Sequence, residues 1–243
     1  MPNLLQHVVQ LQVALSKPRT LEAKPPIEIC SASAFVINIR GYSFLISAGH
    51  VIRDLKDFVL KKNYRIKTCQ LVDLSAKGRE WPAIPFSVFD PGQTNFFAPG
   101  VHGWSVFEDG ADFLIIQLRQ NQIDLLKAGE VFALDETSWD RSPESIDRYF
   151  LLGFPSSFNE SGTTDIATGR RICGQVSAFS VPIEPCDPPD HVEIKNGRFF
   201  ATVPTIADAH NRKAFDNIAG MSGGPIFACR DVQGQRPLRS FAD

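Results

Sequence analysis

A glycine-rich stretch near the end of the chain displays one serine directly before an apolar run. It reads Gly-Met-Ser-Gly-Gly-Pro-Ile-Phe over residues 220–227. Glycine tolerates positive φ and has no side chain, so a substrate carbonyl could approach both Ser222 Oγ and nearby backbone N–H groups. This is how a nucleophile is displayed beside an oxyanion hole. Taken alone, the same stretch also fits an ordinary Gly-rich hairpin turn.

A serine hydroxyl needs a general base, and the base needs a third group that orients it. The best candidate base is His50, which follows the apolar run Phe-Leu-Ile-Ser-Ala-Gly of residues 44–49. The best candidate acid is Asp112, which begins a strongly apolar run that continues to Leu118. The sequence therefore offers a histidine, an aspartate and a serine, in that order.

Four other residues compete for these roles. His102 and His210 lie in polar or Gly-rich, loop-like sequence. Neither follows an apolar strand that would hold an imidazole within about 2.6 to 3.2 Å of a serine. Glu108 and Asp109 stand in a charged turn, whereas Asp112 adjoins a core strand. We therefore expect both histidines at the surface and assign the acid to Asp112.

The order of the three residues restricts the fold, because the same triad occurs on unrelated folds in different chain orders. The α/β-hydrolase order requires a histidine after the serine, and residues 223–243 contain none. The subtilisin order requires an aspartate before the histidine, and the first aspartate of the chain is Asp54, after His50. The order His, Asp, Ser remains.

The three segments resemble the signature motifs of the chymotrypsin/trypsin-like serine protease family. That family has Ala-(Gly/Ala)-His, Asp-(apolar)-Ala-(apolar) and Gly-x-Ser-Gly-Gly-Pro in this order, and Leu114 stands where it often has Ala. The resemblance covers roughly residues 30–229. It implies an all-β fold of two six-stranded-type antiparallel β-barrels, the trypsin-like double barrel. The first barrel is expected at about residues 30–120 and the second at about 148–243.

The resemblance also implies a serine endopeptidase that works through an acyl-enzyme intermediate. His50 would take the proton of Ser222 while Asp112 holds the imidazole tautomer. The N–H groups of Gly220 and Ser222 would stabilise the tetrahedral oxyanion. The alternative is a catalytically inactive trypsin-like scaffold that acts as a protein-binding module.

Two features near the serine bear on specificity. Asp216 lies six residues before Ser222, the offset at which trypsin-like relatives carry the acid of a pocket for Lys or Arg. An Asp followed by Asn is also a common turn or capping pair, so both roles stay open. Relatives continue past the serine into a further strand that lines the pocket, whereas residues 231–243 are polar here. We expect either a missing last strand or a pocket wall that is built differently.

The N-terminal region predicts a separate element. Residues 3–16 carry Leu and Val at near-helical spacing with glutamines between them, which indicates an amphipathic helix. The Lys17-Pro18 pair ends this helix and Pro25-Pro26 leads into the domain proper. We therefore assign residues 1–29 to a helix and linker and residues 30–243 to the protease domain. The helix is expected to dock on the barrel surface, with a partner-binding helix as the alternative.

Further along, the pattern predicts the other elements of both halves. A hairpin that turns at Arg40-Gly41 leads to His50, and a helical pattern follows it. Residues 119–147 are expected to cross between the barrels. Strands are predicted in the first half at 68–74, 86–89 and 112–118, and in the second half at 149–155, 172–181, 191–194, 199–203 and 226–229.

Composition excludes several classes of protein. The formal net charge is −2, from 25 basic and 27 acidic residues, which gives no electrostatic footprint for nucleic acid or an anionic membrane. No apolar run approaches the 18 or so residues that span a bilayer, and residues 1–16 lack the pattern of a signal peptide. We expect a protein or peptide substrate as the partner, and the oligomeric state is left open.

The cysteines predict the redox setting. Their number is odd and no two are close in sequence, which argues against a disulfide framework: Cys30, Cys69, Cys173, Cys186 and Cys229. His50 also lacks the neighbouring cysteine that secreted trypsin-like relatives usually carry. We therefore predict free thiols and a cytoplasmic location. No Cys-x-x-Cys or His-x-x-x-His spacing occurs, so neither a metal nor a cofactor is expected.

Overall fold

The computed structural model describes residues 4–18, 27–73, 83–86, 96–97, 112–138, 148–156, 177–188, 199–203 and 218–229. These residues form mainly β-strands, with two α-helices and one short 3-10 helix. The strands are arranged in two sheets of antiparallel neighbours. The predicted mostly β character is therefore confirmed.

The first sheet has seven strands. In chain order these are β1 (Val8–Ser16), β2 (Ile27–Ile39), β3 (Tyr42–Ser47), β4 (Arg65–Val72), β5 (Ala83–Pro85), β6 (Phe96–Phe97) and β7 (Leu114–Gln117). They lie side by side in the order β5-β4-β1-β2-β3-β7-β6, and the sheet curls into a half-barrel. One face packs a core of buried aliphatic side chains, including Leu11, Leu45 and Ile116.

The second sheet has four strands: β8 (Arg148–Gly153), β9 (Phe179–Pro185), β10 (Ala201–Thr202) and β11 (Ile226–Cys229). Their order is β10-β9-β8-β11, so the strand that follows Ser222 pairs with β8. A smaller apolar cluster joins the two sheets, with Val8 and Val72 from the first and Leu152 and Phe154 from the end of β8. This cluster packs β8 against the first sheet.

Two α-helices accompany the first sheet. Helix α1 (Gly49–Leu60) begins directly after β3 and buries Ile52 and Leu55 against the core. Helix α2 (Gln120–Ala128) follows β7 and buries Leu126, in a segment expected only to cross between the barrels. No helix of the described residues is long and apolar enough to cross a membrane.

The predicted hairpin and the helix after it are confirmed. Strands β2 and β3 pair antiparallel from Ala34↔Ser47 to Ile39↔Tyr42. The turn lies at Arg40 and Gly41, which both have positive φ, as a tight two-residue hairpin requires. The hairpin thus leads directly into α1.

The predicted N-terminal helix over residues 3–16 is wrong. Apart from a 3-10 turn at Leu4–His7, this segment is strand β1. β1 pairs with β2 on one side and with β4 on the other, so it lies inside the first sheet. Every second residue of β1 faces the core: Val9, Leu11, Val13 and Leu15. The sequence of this segment therefore fits the period of two of a strand as well as the spacing of a helix. Hydrogen bonding to two neighbours and the β-branched valines favour the strand.

The glutamines that suggested a polar helix face are instead buried between strands. Gln70 Nε2 donates to Gln12 Oε1 at 2.8 Å, and Gln12 Nε2 donates to Gln10 Oε1 at 2.7 Å. Gln12 and Gln70 are direct cross-strand partners of β1 and β4. Mutual hydrogen bonds offset part of the cost of burying these amides, which explains how polar residues occupy a central strand.

Candidate functional site

The pairing of β3 with β7 brings the candidate base and acid together. Ser47, the last residue of β3, pairs with Leu114, the first residue of β7. Because the strands are antiparallel, the residues after Ser47 and those before Leu114 lie at the same edge of the sheet. His50 and Asp112 therefore meet through strand register.

Asp112 binds His50 twice. Its Oδ2 lies 2.6 Å from His50 Nδ1, and its Oδ1 accepts the His50 backbone N–H at 2.7 Å. Arg53 Nη2 lies 3.5 Å from the same Oδ1. The Asp112 side chain is exposed, with 39% of its surface accessible. Main-chain and side-chain contacts together fix the position of the ring.

The contact with Asp112 determines the tautomer of His50. An ionised carboxylate only accepts hydrogen bonds, so Nδ1 must carry the proton that lies between the two groups. In the neutral ring, Nε2 is then an acceptor. The arrangement leaves Nε2 available to take a proton from a neighbouring hydroxyl.

The start of α1 approaches Asp112 so closely that only glycine fits before His50. A Cβ on Gly49 would lie 2.8 Å from the Phe113 carbonyl oxygen and 3.0 Å from Asp112 Oδ1. Any side chain there would push α1 away from the carboxylate. Gly49 thus permits the two hydrogen bonds of His50.

The carbonyl groups of the serine segment hold it against the rest of the protein. The Ser222 carbonyl accepts the Ser33 N–H at 3.2 Å, and the Ala219 carbonyl accepts the Ser156 N–H at 2.7 Å. The Pro225 carbonyl accepts the Leu152 N–H of β8 at 3.0 Å. Both sheets therefore bind the segment, and its backbone is fixed from two sides.

Ser33 connects the serine segment to both sheets. This fully buried residue of β2 donates from Oγ to the Gly220 carbonyl at 2.7 Å and accepts the Phe154 N–H at 2.8 Å. The Ser33 carbonyl accepts a hydrogen bond from the Ser47 hydroxyl at 2.8 Å, so these hydrogen bonds also include the end of β3. The backbone on either side of Met221 is thus bonded to one residue, Ser33.

Position 223 requires glycine for two reasons: the backbone conformation there and the lack of room for a side chain. Its φ is 87°, in the left-handed region. A Cβ would lie 2.5 Å from each of three atoms: Ala48 N, Ser33 O and Ser47 Oγ. The close approach of Gly223 to the end of β3 places the Ser222 segment beside the segment that carries His50.

Two backbone amides at the serine have no acceptor among the described residues. Within the described part of the chain, neither the Gly220 N–H nor the Ser222 N–H donates to a protein acceptor. Both residues border the cleft that contains the candidate base. Unbonded N–H groups at the border of a cleft are what a developing oxyanion requires, since they need no rearrangement to receive it.

His50 and Ser222 line the same cleft, whose volume is about 160 Å³. The side-chain hydrogen bond of His50 goes to Asp112, and none joins His50 to Ser222 in the described residues. Catalytic hydrogen bonds are often long or poorly aligned without substrate, so this geometry is compatible with a Ser–His pair.

Several residues weighed from the sequence lie outside the described ranges. These are the proposed pocket acid, the rival histidines and the rival acids: Asp216, His102, His210, Glu108 and Asp109. Their roles stay predictions. The same holds for Cys173, whereas no disulfide bond joins the described cysteines to one another: Cys30, Cys69, Cys186 and Cys229. Among the described residues, no three His, Cys, Asp or Glu side chains are grouped so that they could hold a metal ion.

Sequence reasoning missed Ser33 and Arg53. Arg53 had a local signal, because a residue three positions after His50 on a helix shares its face. Ser33 had none, since its contacts depend on how β2 meets a segment far away in sequence.

Comparison with protein-family models and with curated proteins found no match. The case for a function of this chain therefore rests on its motifs and on the geometry of this site.

Proposed function

We propose that the protein is a serine endopeptidase in which Ser222 is the nucleophile, His50 the general base and Asp112 the group that orients the base. The observation that carries the proposal is the shared cleft: it is bordered by Ser222 and by His50, whose Nδ1 is bonded to Asp112. These are the three groups that an activated serine needs.

The proposed reaction follows from these positions. His50 Nε2 takes the Ser222 proton as Oγ attacks the substrate carbonyl, and Asp112 stabilises the imidazolium that forms. The Gly220 and Ser222 amides bind the oxyanion. The imidazolium then protonates the leaving amine, and water hydrolyses the acyl-enzyme by the same route.

The fold in this proposal is the trypsin-like double barrel. It is supported by the two antiparallel sheets, by the position of Ser222 beside the first of them, and by the order of the three motifs. In this arrangement each sheet belongs to one barrel, and the cleft lies between the first sheet, α1 and the serine segment. Asp216 keeps its proposed role as the acid of a pocket for Lys or Arg.

A fluorophosphonate probe tests the chemistry. We expect covalent labelling of Ser222 in the folded protein, and loss of labelling and of peptide hydrolysis in Ser222→Ala. His50→Ala should lower both rates by about 10⁴-fold or more, because members of a triad act as a unit. The matched control is Ser156→Ala, since this exposed serine contacts the same segment through its backbone alone.

The results separate the alternatives. A probe adduct on a serine other than Ser222 would show that the nucleophile is wrongly assigned. A folded protein that gains no adduct would favour the inactive scaffold, for which the missing His50–Ser222 hydrogen bond is the supporting observation.

A further inference from the structure

The cleft extends from Ser222 past His50 along helix α1. Its described lining on that side is mostly apolar, although it includes Ser31. The other side chains come from α1 and from strands β1 and β2: Leu11, Val13, Cys30, Ala32, Val51, Leu55 and Phe58. Asp54 lines the same cleft, and the described lining includes no lysine or arginine. The cleft therefore combines an apolar floor with one carboxylate.

The proposed reaction determines which part of a substrate would lie there. His50 protonates the leaving amine, so the leaving group must pass over the imidazole. The part of the cleft beyond His50, as seen from Ser222, is thus on the leaving-group side. Asp54 is four residues after His50, about 6 Å along α1. That distance corresponds to one or two residues of extended chain at about 3.4 Å each.

The charges around the cleft favour a cation. Asp54 is exposed, and its carboxylate is at the cleft rather than in an ion pair of the described residues. Burial raises the pKa of the neighbouring Cys30 thiol, and the carboxylates of Glu28 and Asp54 raise it further, whereas Lys62 acts in the opposite direction. At the Cys30 thiol, which also lines the cleft, the carboxylates thus outweigh the nearby ammonium group, whereas Arg53 on the same helix faces Asp112.

We propose that this cleft binds the leaving-group segment of a peptide substrate, and that it selects an apolar residue accompanied by Lys or Arg within the first two positions after the cleaved bond. This inference rests on the proposed peptidase function. The partly exposed side chains of Val51 and Phe58 would hold the apolar side chain, and Asp54 would attract the cationic one.

The test is a peptide library with random residues around one bond, whose products are identified by mass spectrometry. We expect new N-termini enriched in an apolar residue together with Lys or Arg. Asp54→Asn should lower the preference for a basic residue by about 1.5- to fivefold, the range of an exposed charge pair. The matched control is Asp57→Asn on the same helix, because Asp57 pairs with Lys61 at 2.8 Å and is not part of the described cleft lining. It should keep the wild-type preference.

Failure of this inference can be distinguished from failure of the proposed function. A fluorophosphonate has no leaving peptide, so it should label Ser222 equally in both variants. Two results would overturn this inference and leave the peptidase proposal intact. Both combine normal labelling of Ser222 with a library result: either no preference for a basic residue, or the same preference in Asp54→Asn as in the wild type. If the probe does not label the wild type, the cleft is tested by fluorescence anisotropy with labelled peptides that begin Leu-Lys or Leu-Glu. Tighter binding of the Leu-Lys peptide supports the inference, and equal affinities contradict it.

Discussion

Removal of the Ser33 hydroxyl should affect both stability and catalysis. In Ser33→Ala the Phe154 N–H loses its acceptor in a fully buried environment, which costs about 1 to 3 kcal/mol. The Gly220 carbonyl loses a donor as well, but Gly220 is only partly buried, so water replaces part of that bond and the cost is about 1 kcal/mol. The total is about 2 to 4 kcal/mol. Since domains are typically stable by about 5 to 15 kcal/mol, the variant should still fold.

The catalytic effect follows because the Ser33 hydroxyl holds the Gly220 carbonyl, and release of that Gly220–Met221 peptide group lets the adjoining Gly220 amide shift. Loss of one oxyanion donor typically lowers kcat by about 10²- to 10³-fold. A Gly220 amide that is displaced but still present should therefore lower kcat by about 10- to 100-fold. KM should change little, because the hydroxyl of Ser33 contacts the protein and not the substrate. Urea unfolding gives the stability, and steady-state kinetics together with the phosphonate labelling rate give the catalytic effect.

Ser43→Ala is the matched control for this prediction. Ser43 is also a buried serine of the first sheet, but among the described residues its hydroxyl takes part in a single long hydrogen bond, which it accepts from Asn38 at 3.4 Å. We expect a loss of less than about 1 kcal/mol and an unchanged rate. If Ser33→Ala loses stability while kcat and the labelling rate equal those of the wild type, Ser33 supports the fold and does not position the oxyanion hole.

Two further predictions concern single residues. Gly223→Ala should lower the free energy of unfolding by about 3 kcal/mol or more, because strain at positive φ adds to overlap with backbone atoms. Gly41 has a similar φ but open space around it, so Gly41→Ala should lower the free energy of unfolding by only about 1 kcal/mol. Equal losses of stability in the two variants, measured by thermal or urea unfolding, would contradict the argument from atomic overlap. Iodoacetamide should modify Cys30 more slowly than the exposed Cys186 at pH 8, since burial and nearby carboxylates raise the pKa of Cys30 and less thiolate is present below it. The modification rate of Cys30, measured by peptide mass spectrometry, should rise as the pH approaches that raised pKa. The rate should also be higher in Asp54→Asn. An unchanged rate in that variant would be evidence against a contribution of the Asp54 charge to the pKa of Cys30.

The sequence alone determined the features that depend on local pattern. The alternation of β2 and β3 around Arg40-Gly41 predicted a hairpin, and turn chemistry of this kind acts over a few residues. The apolar runs before His50 and after Asp112 predicted that both side chains stand at strand ends. The glycines around Ser222 predicted an open, tightly turned backbone, although they could not show what it contacts.

Tertiary structure decided the features that depend on partners far away in the chain. Residues 8–16 carried both helical and strand periodicity, and only the pairing of β1 with β2 and β4 made this segment a central strand. The contacts of Ser33 likewise arise where two sheets meet, so no local pattern indicates them. The cleft along α1 combines residues from three elements and the serine segment. Its apolar floor and its carboxylate come together only through packing, because sequence periodicity shows which side of an element is buried but not what lies opposite.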